Sequence, residues 1–285
     1  MYYQSQMFNE ATGFAQLHNL LSQGSDFLGA NHFPPINGVT VSDVLGQGAT
    51  SYVYRGILTD TKESVAIKHV SEQYLEQAAN ELKILKSLKN DHIPTIPLND
   101  LPQRVVVLSP VLLPVMSVFT PRDAQQLITA LEYVHQQANF HRDIRPATVM
   151  KSEEGKIFLV DFGFAIRQND AAASPYAGTL TTASTRVLQE LSKTKKVGFL
   201  VADDVQSLVK TVYLFVTADQ LPSKSPAIHQ ELLRFWENAL RLWLPALQAG
   251  TLNEADAALD KILKEICRCG SGIGAFPKTN NTNRL

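Results

Sequence analysis

The sequence has little that would mark it for export or for a membrane. Its 285 residues include two cysteines, too few for a disulfide framework. No lysine or arginine precedes Arg55, so neither a secretory signal nor a mitochondrial transit peptide is expected at this end. The most apolar stretch, Val105–Phe119, is shorter than a bilayer-spanning helix and contains Pro110 and Pro114. We expect a soluble protein in a reducing compartment, the cytoplasm or the nucleus, with no membrane partner.

Charged residues are also scarce. They make up 19% of the sequence, below the usual fraction of about 25%. The 26 Lys+Arg against 27 Asp+Glu leave a formal net charge of −1. No overall field attracts a polyanion, so nucleic acid is not expected as a partner. In contrast, 45% of the residues are hydrophobic, which provides ample material for a core, and the length suggests about two structural units.

The composition changes along the chain in a way that predicts four segments. Residues 1–38 are polar and aromatic and end in Pro and Gly, which indicates an extension or linker with a short helix near Phe14–Ser22. Residues 39–111 are β-rich and residues 112–276 mainly helical. The sequence from Gly270 onward is rich in Gly and Asn, and residues 277–285 are predicted to be a flexible tail.

Strands and helices are predicted from β-branched runs and from apolar residues spaced by three and four. The predicted strands are Val39–Leu45, Ser51–Leu58, Val65–His69 and Val105–Leu108, followed by a hairpin of Thr148–Lys151 and Lys156–Asp161. A helix is predicted over Glu72–Lys89, and another begins at Pro121 with Thr120 as its N-cap and Asp123 completing a capping box. Later helices are predicted over Asp203–Val216, Pro226–Gln248 and Asn253–Cys267.

Two motifs in the β-rich part suggest phosphate binding, although each has a structural alternative. Gly46 and Gly48 lie at a strand–turn–strand junction, where glycines let the backbone approach an anion, but an ordinary hairpin has the same pattern. Lys68 ends an apolar strand twenty-two residues after Gly46. It is either a phosphate ligand or a strand-end lysine that extends to solvent. Glu81, on the following helix, is either its carboxylate partner or a solvated glutamate.

Two aspartates follow in the helical part. Asp143 lies in the sequence His141-Arg142-Asp143, and Asp161 follows it by eighteen positions, before Phe162 and Gly163. Phosphoryl transfer to a hydroxyl requires one carboxylate that orients the hydroxyl proton and another that holds magnesium on the phosphates. The order of glycine loop, lysine, glutamate and two aspartates is unlikely to arise by chance.

From about Val39 to Phe276 the chain resembles the eukaryotic protein kinases. The resemblance implies an α+β, two-lobed fold, with a small β-rich N-lobe carrying one helix over 39–111 and a larger, mainly α-helical C-lobe over 112–276. It implies that ATP binds between the lobes with Mg²⁺, or with Mn²⁺ in its place. The nucleotide-binding residues that it implies are Gly46, Gly48, Val53, Ala66, Lys68, Leu108 and Val111, with Leu108 at the back of the pocket and Ser109–Val111 as the hinge.

The same resemblance assigns the chemistry. It makes Asp143 the catalytic base, Arg145 a cation near the γ-phosphate, and Lys68 and Glu81 an ion pair. Asp161 and Thr148 become metal ligands. Asp204 becomes the aspartate that anchors the catalytic loop around Asp143 from below, with a plain helix N-cap as the alternative. His141 is interpreted as a packing and hydrogen-bonding residue, and Trp236 and Trp243 as core or interface residues.

Three features depart from the family pattern. Thr148 stands where an asparagine is normal, Ala183-Ser184-Thr185 replaces Ala-Pro-Glu, and the stretch from Ala183 to Asp204 is longer than usual. A threonine hydroxyl is a shorter and weaker metal ligand, so catalysis is expected to be slow, more metal-demanding or absent. With Gly178-Thr179 and Ala202-Asp203, these features resemble divergent kinase domains of fungi and oomycetes, including Crinkler-type effectors. That resemblance implies secretion into a host cell.

Three functions agree with these motifs. The first is a Ser/Thr protein kinase, since Arg145 resembles the basic residue of that class. Such a kinase would act on protein substrates and autophosphorylate its activation segment, the stretch after Asp161 that contains the threonines named next. Thr179, Thr181 and Thr182 are preferred as acceptors over Ser174 and Tyr176. The second is a pseudokinase that binds nucleotide or a partner as a scaffold or regulator. The third is a small-molecule phosphotransferase. The oligomeric state is left open.

Overall fold

The computed structural model describes residues 36–48, 50–99, 101–171, 175–193, 197–217, 221–222 and 228–240. Met1–Asn37 and Gly38–Leu285 form two separate units, and every element below belongs to the second. The helices predicted near Phe14–Ser22 and over Asn253–Cys267, Trp243 and the predicted tail all lie outside the described residues. Within the part that the structure describes, no helix is both long and apolar enough to cross a membrane.

The first part of this unit is an antiparallel sheet of four strands in sequential order. The strands are β1 (Val39–Gln47), β2 (Ser51–Leu58), β3 (Ser64–Val70) and β4 (Val105–Leu108). Each lies within two residues of its predicted bounds because the β-branched runs end at turn residues. At the centre of the sheet a Cβ on Gly56 would lie 2.5 Å from Ile67 Cδ1 and 2.8 Å from Val39 Cγ1. The absence of a side chain at Gly56 therefore leaves room for Ile67 and Val39 to pack against β2.

One α-helix packs beside this sheet. Helix α1 (Leu75–Leu85) is shorter than predicted, because Glu72–Tyr74 forms a separate 3₁₀ turn and the chain leaves the helix after Leu85. Leu88 continues the apolar spacing and is buried. It reaches the core because the chain turns after Leu85, and not because the helix continues. Apolar periodicity therefore predicted burial correctly and the helix end incorrectly.

The second part is mainly helical. Helix α2 (Pro121–Gln136) begins with the predicted capping box: Asp123 N donates to Thr120 Oγ1 at 3.2 Å, and Thr120 N donates to Asp123 Oδ2 at 2.9 Å. The helices that follow are α3 (Thr185–Leu191), α4 (Val201–Thr217) and α5 (Ile228–Ala239). The remainder of the helix predicted up to Gln248 lies outside the described residues.

Short strands position the loops between these helices. Strand β5 (Leu113–Pro114) pairs with β7 (Val149–Lys151), which pairs with β8 (Ile157–Leu159) in the predicted hairpin; β6 (Asn139–Phe140) pairs with β9 (Ile166–Arg167). The core of the helical part contains the apolar side of α2, with α4 and the fully buried Trp236. The predicted α+β, two-lobed fold, a β-rich lobe followed by a helical lobe, is confirmed.

Candidate active site

Lys68 on β3 joins two carboxylates that are distant in sequence. Its Nζ donates to Glu81 Oε2 on α1 at 2.7 Å and to Asp161 Oδ1 after β8 at 2.9 Å. The lysine side chain is 14% exposed. Burial alone would lower the pKa of Lys68, but the two carboxylates outweigh it and hold that pKa above its ordinary value. The lysine is therefore charged, and its ammonium ties strand, helix and loop together.

Asp161 is held so that one of its oxygens stays available. Its backbone is left-handed, with φ of 66°, a conformation that a non-glycine residue rarely adopts. Burial raises the pKa of Asp161, but the Lys68 ammonium more than compensates, and the net shift is downward. While Oδ1 accepts from Lys68, the side chain remains 35% exposed. An ionised oxygen that solvent can reach is the kind of ligand that a hard divalent cation prefers.

The carboxylate of Asp143 is closed off by the chain itself. Arg145 Nε donates to its Oδ2 at 3.1 Å, and the backbone N–H of Thr179 donates to its Oδ1 at 2.8 Å. The side chain is only 1% exposed. A substrate hydroxyl therefore reaches Asp143 only after the Thr179 segment moves.

A glycine permits this closure. A Cβ on Gly178 would lie 2.0 Å from the carbonyl oxygen of Arg142, far inside contact distance. Any larger residue would push the segment away from the catalytic loop, and the Thr179 amide would leave Asp143. Gly178 is therefore the residue that allows the two backbones to meet.

Asp204 anchors the loop from below, as the resemblance implies. This fully buried residue of α4 accepts from the backbone N–H groups of His141, at 2.8 Å, and Arg142, at 2.9 Å. His135 Nε2 lies 3.0 Å from the same carboxylate. The bonds fix the backbone where Arg142 takes a left-handed φ of 70°, which a non-glycine residue rarely adopts unaided.

His141 has the structural role predicted for it. Asp143 N donates to its Nδ1 at 3.3 Å, so Nε2 carries the ring hydrogen and donates to Val160 O at 3.1 Å. Burial lowers the pKa of His141 despite the nearby aspartates, which agrees with a neutral ring. The histidine holds the two aspartate-bearing loops together.

The predicted nucleotide-binding residues lie along one face of the sheet and at its first turn. Val53 is opposite Lys68, and Ala66 is opposite Leu108; directly opposed residues point to the same face. Leu108 also packs against the cluster of Val70, Ala78 and Val106 beside α1, and Val111 is buried further along.

The glycine loop is a tight turn with room above it. Gly48 N donates to Ser51 O at 2.8 Å, and a Cβ on Gly46 would meet no atom within 4 Å. Neither glycine has a positive φ. These two glycines therefore provide space for a ligand to approach, not an unusual backbone conformation.

The structure places Thr148 differently from the metal ligand that the resemblance implies. The residue is 0% exposed. Its Oγ1 lies 2.8 Å from Asp143 O and 3.0 Å from Arg145 O, and it accepts from Arg145 N at 3.1 Å. The hydroxyl holds the loop between Asp143 and Thr148 closed and does not point into the site.

Other contacts brace the segment that lacks the family glutamate. Ser184 caps α3 and bonds Asp203, and the Arg186 guanidinium pairs with the same carboxylate. From the core, Lys210 Nζ donates to Ala183 O, and Trp236 Nε1 donates to Thr181 O at 2.9 Å. Sequence reasoning missed Lys210, although a lysine within the apolar run of α4 was a visible signal.

The proposed phosphate acceptors differ in how available they are. Thr182 is buried and its hydroxyl donates to Ile144 O at 2.8 Å, whereas Thr179 and Thr181 are half-buried. Tyr176 donates its hydroxyl to Thr179 O at 3.0 Å, and burial raises its pKa. Ser174 lies outside the described residues.

A polar cavity of about 380 Å³ opens between α1 and the residues that follow Asp161, from Gly163 to Arg167. Its cationic lining is Lys83, Arg142 and Arg167, with Glu76 and Asp170 at other positions. Arg142 donates to Pro175 O, while its buried Nε has no partner among the described residues. The cavity can therefore take an anion beside the catalytic loop.

Sequence reasoning also missed Asn80, the residue before Glu81. Its Nδ2 donates to Gly163 O at 3.0 Å and to Ala165 O at 2.7 Å, with Phe162 O at 3.5 Å. One amide therefore secures the loop that carries Asp161 to the helix that carries Glu81. Its position next to Glu81 was the only sequence signal.

A β-rich lobe with a Lys–Glu–Asp network, above a helical lobe whose loop presents a second aspartate, defines a kinase-class fold and site. The sequence pattern of the family described as "Protein kinase domain" matches residues 118–267, more than half of the chain. This chain belongs to the protein kinase family. A protein kinase domain implies the use of ATP and a divalent metal ion.

One similar protein is itself named a kinase. A protein named "Probable cell division protein kinase" from Encephalitozoon cuniculi is 28% identical over 207 residues, which cover 67% of this chain and 76% of that protein. The cytokinesis protein sepH of Aspergillus terreus is 30% identical over 189 residues, and that of Aspergillus niger is 29% identical over 192 residues. Each match covers 60% of this chain and 14% of the sepH protein.

Proposed function

We propose that this protein is an active protein kinase that transfers the γ-phosphoryl group of ATP to serine or threonine hydroxyls of protein substrates. The observation that carries the proposal is the position of Lys68, within hydrogen-bonding distance of both Glu81 and Asp161. A charged lysine held beside an exposed carboxylate suits a phosphate chain that arrives with a metal ion.

The residues around Lys68 divide the work of holding ATP. Lys68 binds the α- and β-phosphates, and Glu81 keeps its ammonium in place. Gly46 and Gly48 let the loop backbone cover the phosphates. Mg²⁺, or Mn²⁺ in its place, neutralises phosphate charge when bound, and Asp161 is the residue that would hold it.

Asp143 receives the proton of the acceptor hydroxyl. The hydroxyl oxygen forms a bond to the γ-phosphorus while the bond between that phosphorus and the β–γ bridging oxygen breaks. The hydroxyl proton passes to Asp143, and ADP leaves with the bridging oxygen. Arg145, already 3.1 Å from Asp143 Oδ2, lies close enough to the base to stabilise charge on the transferred group.

Autophosphorylation of the activation segment follows from the same site. Thr179, Thr181 and Thr182 stay the proposed acceptors, with Thr182 requiring release of its bond to Ile144 O. The cavity lined by Lys83, Arg142 and Arg167 would receive the added phosphate, because guanidinium groups bind phosphate well.

The burial of Asp143 favours a second candidate function. A base closed by the Thr179 amide and Arg145 also suits a pseudokinase, which binds nucleotide or a partner protein without efficient transfer. In that case the Lys68 network would still bind nucleotide, but the catalytic loop would stay closed.

Intact-mass analysis after incubation with Mg·ATP separates the two. We expect whole-phosphate mass gains in the wild-type protein and none in Asp143→Ala, with the added groups mapped to serine or threonine. An absence of gain in both proteins, with nucleotide bound, would favour the pseudokinase. A gain in both would mean that Asp143 is not the base.

A further inference from the structure

The oxygen atoms around the phosphate-binding side of the site differ in whether they are free to bind a metal ion. Asp143 has both carboxylate oxygens in hydrogen bonds and is almost wholly buried. Glu81 is buried and pairs with Lys68. Among these three carboxylates, only Asp161 has a side chain that solvent reaches, at 35% exposed, and only its Oδ1 is bonded to Lys68. One carboxylate is therefore available.

The hydroxyl of Thr148 is bonded to the backbone of its own loop. A hydroxyl has one hydrogen and two lone pairs. The Thr148 hydrogen is shared between two carbonyl acceptors, Asp143 O at 2.8 Å and Arg145 O at 3.0 Å, and one lone pair accepts from Arg145 N at 3.1 Å. One lone pair remains, but the residue is 0% exposed. A metal ion in the site could reach this oxygen only if the hydroxyl moved away from its partners, and buried backbone groups would then lose theirs.

The backbone around Thr148 is fixed as well. Thr148 N donates to Arg145 O at 2.9 Å, and its carbonyl accepts from Val160 N at 3.0 Å. The backbone of this residue thus bridges the two aspartate-bearing loops, and its hydrogen-bonded side chain faces the loop interior.

From these contacts we infer that the protein binds its nucleotide with a single divalent metal ion, held by Asp161, and that Thr148 removes the second metal site instead of weakening it. The inference rests on the nucleotide binding proposed above. One carboxylate together with phosphate oxygens and water is a ligand set that Mg²⁺ accepts. Thr148 becomes a positioning residue that keeps the Asp143 loop closed.

Counting bound Mn²⁺ tests this directly. The full chain, saturated with a non-hydrolysable ATP analogue, is titrated with Mn²⁺, and the free ion is followed by electron paramagnetic resonance. We expect one Mn²⁺ for each nucleotide-loaded chain of the wild type. Two ions for each wild-type chain, or no ion with the analogue bound, would overturn the inference.

Three variants separate a metal ligand from a positioning residue. Thr148→Val removes the hydroxyl and should leave the count at one; a loss of the ion would show that the hydroxyl is a ligand. Thr148→Ser, which keeps the hydroxyl, is the matched control and should retain both the count and the thermal stability. Thr148→Asn should raise the count to two, and an unchanged count would overturn the assignment of the missing site to this residue.

The experiment also distinguishes this inference from the proposed function. If the analogue does not bind at all, nucleotide binding fails and the inference fails with it. If the analogue binds with one Mn²⁺ but no phosphate is ever transferred, the kinase proposal fails while the single-ion site stands. The Asp161→Asn variant should lose the ion while Thr148→Ser keeps it.

Discussion

Lys68 connects three segments of the chain through one buried charge. Because Lys68→Met removes the cation, we expect phosphoryl transfer to fall by about 10²- to 10³-fold. The change also leaves Glu81 buried without its partner, and breaking a buried pair in this way costs about 3–5 kcal/mol of unfolding free energy. Transfer to a peptide and denaturant unfolding measure the two losses.

A double variant is the control for that prediction. Lys68→Met with Glu81→Gln removes both charges, so most of the lost stability should return while transfer stays low. If stability does not recover, the cost arises from lost packing of the lysine stem and not from an unpaired carboxylate.

Lys210 makes stability depend on pH. Burial lowers its pKa to about 7, with Asp203 opposing the shift. Between about pH 7 and the ordinary lysine pKa of about 10.4, the unfolded chain therefore binds a proton that the folded chain does not. The free energy of unfolding should therefore rise with pH across this window.

The Lys210→Met variant tests this, because it lacks that contribution. Denaturant unfolding gives the free energy of unfolding of both proteins at pH 7 and pH 9. The wild-type value minus the variant value should be larger at pH 9 than at pH 7. Parallel profiles would contradict the assignment.

At the scale of elements, the activation segment depends on Gly178. A Cβ there would meet Arg142 O at 2.0 Å, so Gly178→Ala should cost about 1–3 kcal/mol, as other overpacked sites do. Amide exchange around Thr179 should become faster because its N–H loses Asp143. Gly46→Ala is the matched control, since its Cβ would enter open space. Equal effects of the two changes would contradict this explanation.

Helix α1 and the Asp161 loop are coupled by Asn80. Asn80→Ala removes the donor to Gly163 O and Ala165 O, and unsatisfied carbonyls cost about 1–3 kcal/mol. We expect a KM for Mg·ATP that rises by about tenfold, with faster amide exchange over Phe162–Ala165. Gln73→Ala, at an exposed position before the helix, should change neither. A change in kcat alone would argue against a role in placing Asp161.

Sequence reasoning was most successful where the physical cause is local. Thr120 and Asp123 form the predicted capping box because its partners are three residues apart. The predicted end of α1 was wrong, because Leu88 is buried in a turn after the helix. Apolar spacing alone cannot distinguish such a residue from one in a further helical turn. The bonds of Asn80 and Lys210 depend on carbonyls from distant segments, and no spacing in the sequence reveals them.

At the scale of the whole molecule, the ion pair of Lys68 and Asp161 connects the two lobes at the site. Lys68 comes from the sheet, Asp161 from the helical part, and 93 positions separate them. Their ion pair was not predicted. The resemblance implied only that Lys68 pairs with Glu81 and that Asp161 belongs to the same site, which is long-range information that composition and periodicity lack. The brace of Arg186 and Asp203 was not predicted, since it arises where this chain departs from the family.

Because nucleotide would contact both lobes, it should stabilise the molecule as a whole. A ligand present at a hundredfold excess over its Kd adds about 2.7 kcal/mol, which in a chain of this size raises Tm by about 5–10 °C. We expect this rise with Mg²⁺ and a non-hydrolysable ATP analogue in scanning fluorimetry, and a much smaller one with the analogue alone. Lys68→Met should abolish most of the rise, because the phosphates lose their cation, whereas Gln73→Ala should retain it. An equal rise in Lys68→Met would mean that the nucleotide binds elsewhere, and the assignment of the phosphate site to Lys68 would have to be abandoned.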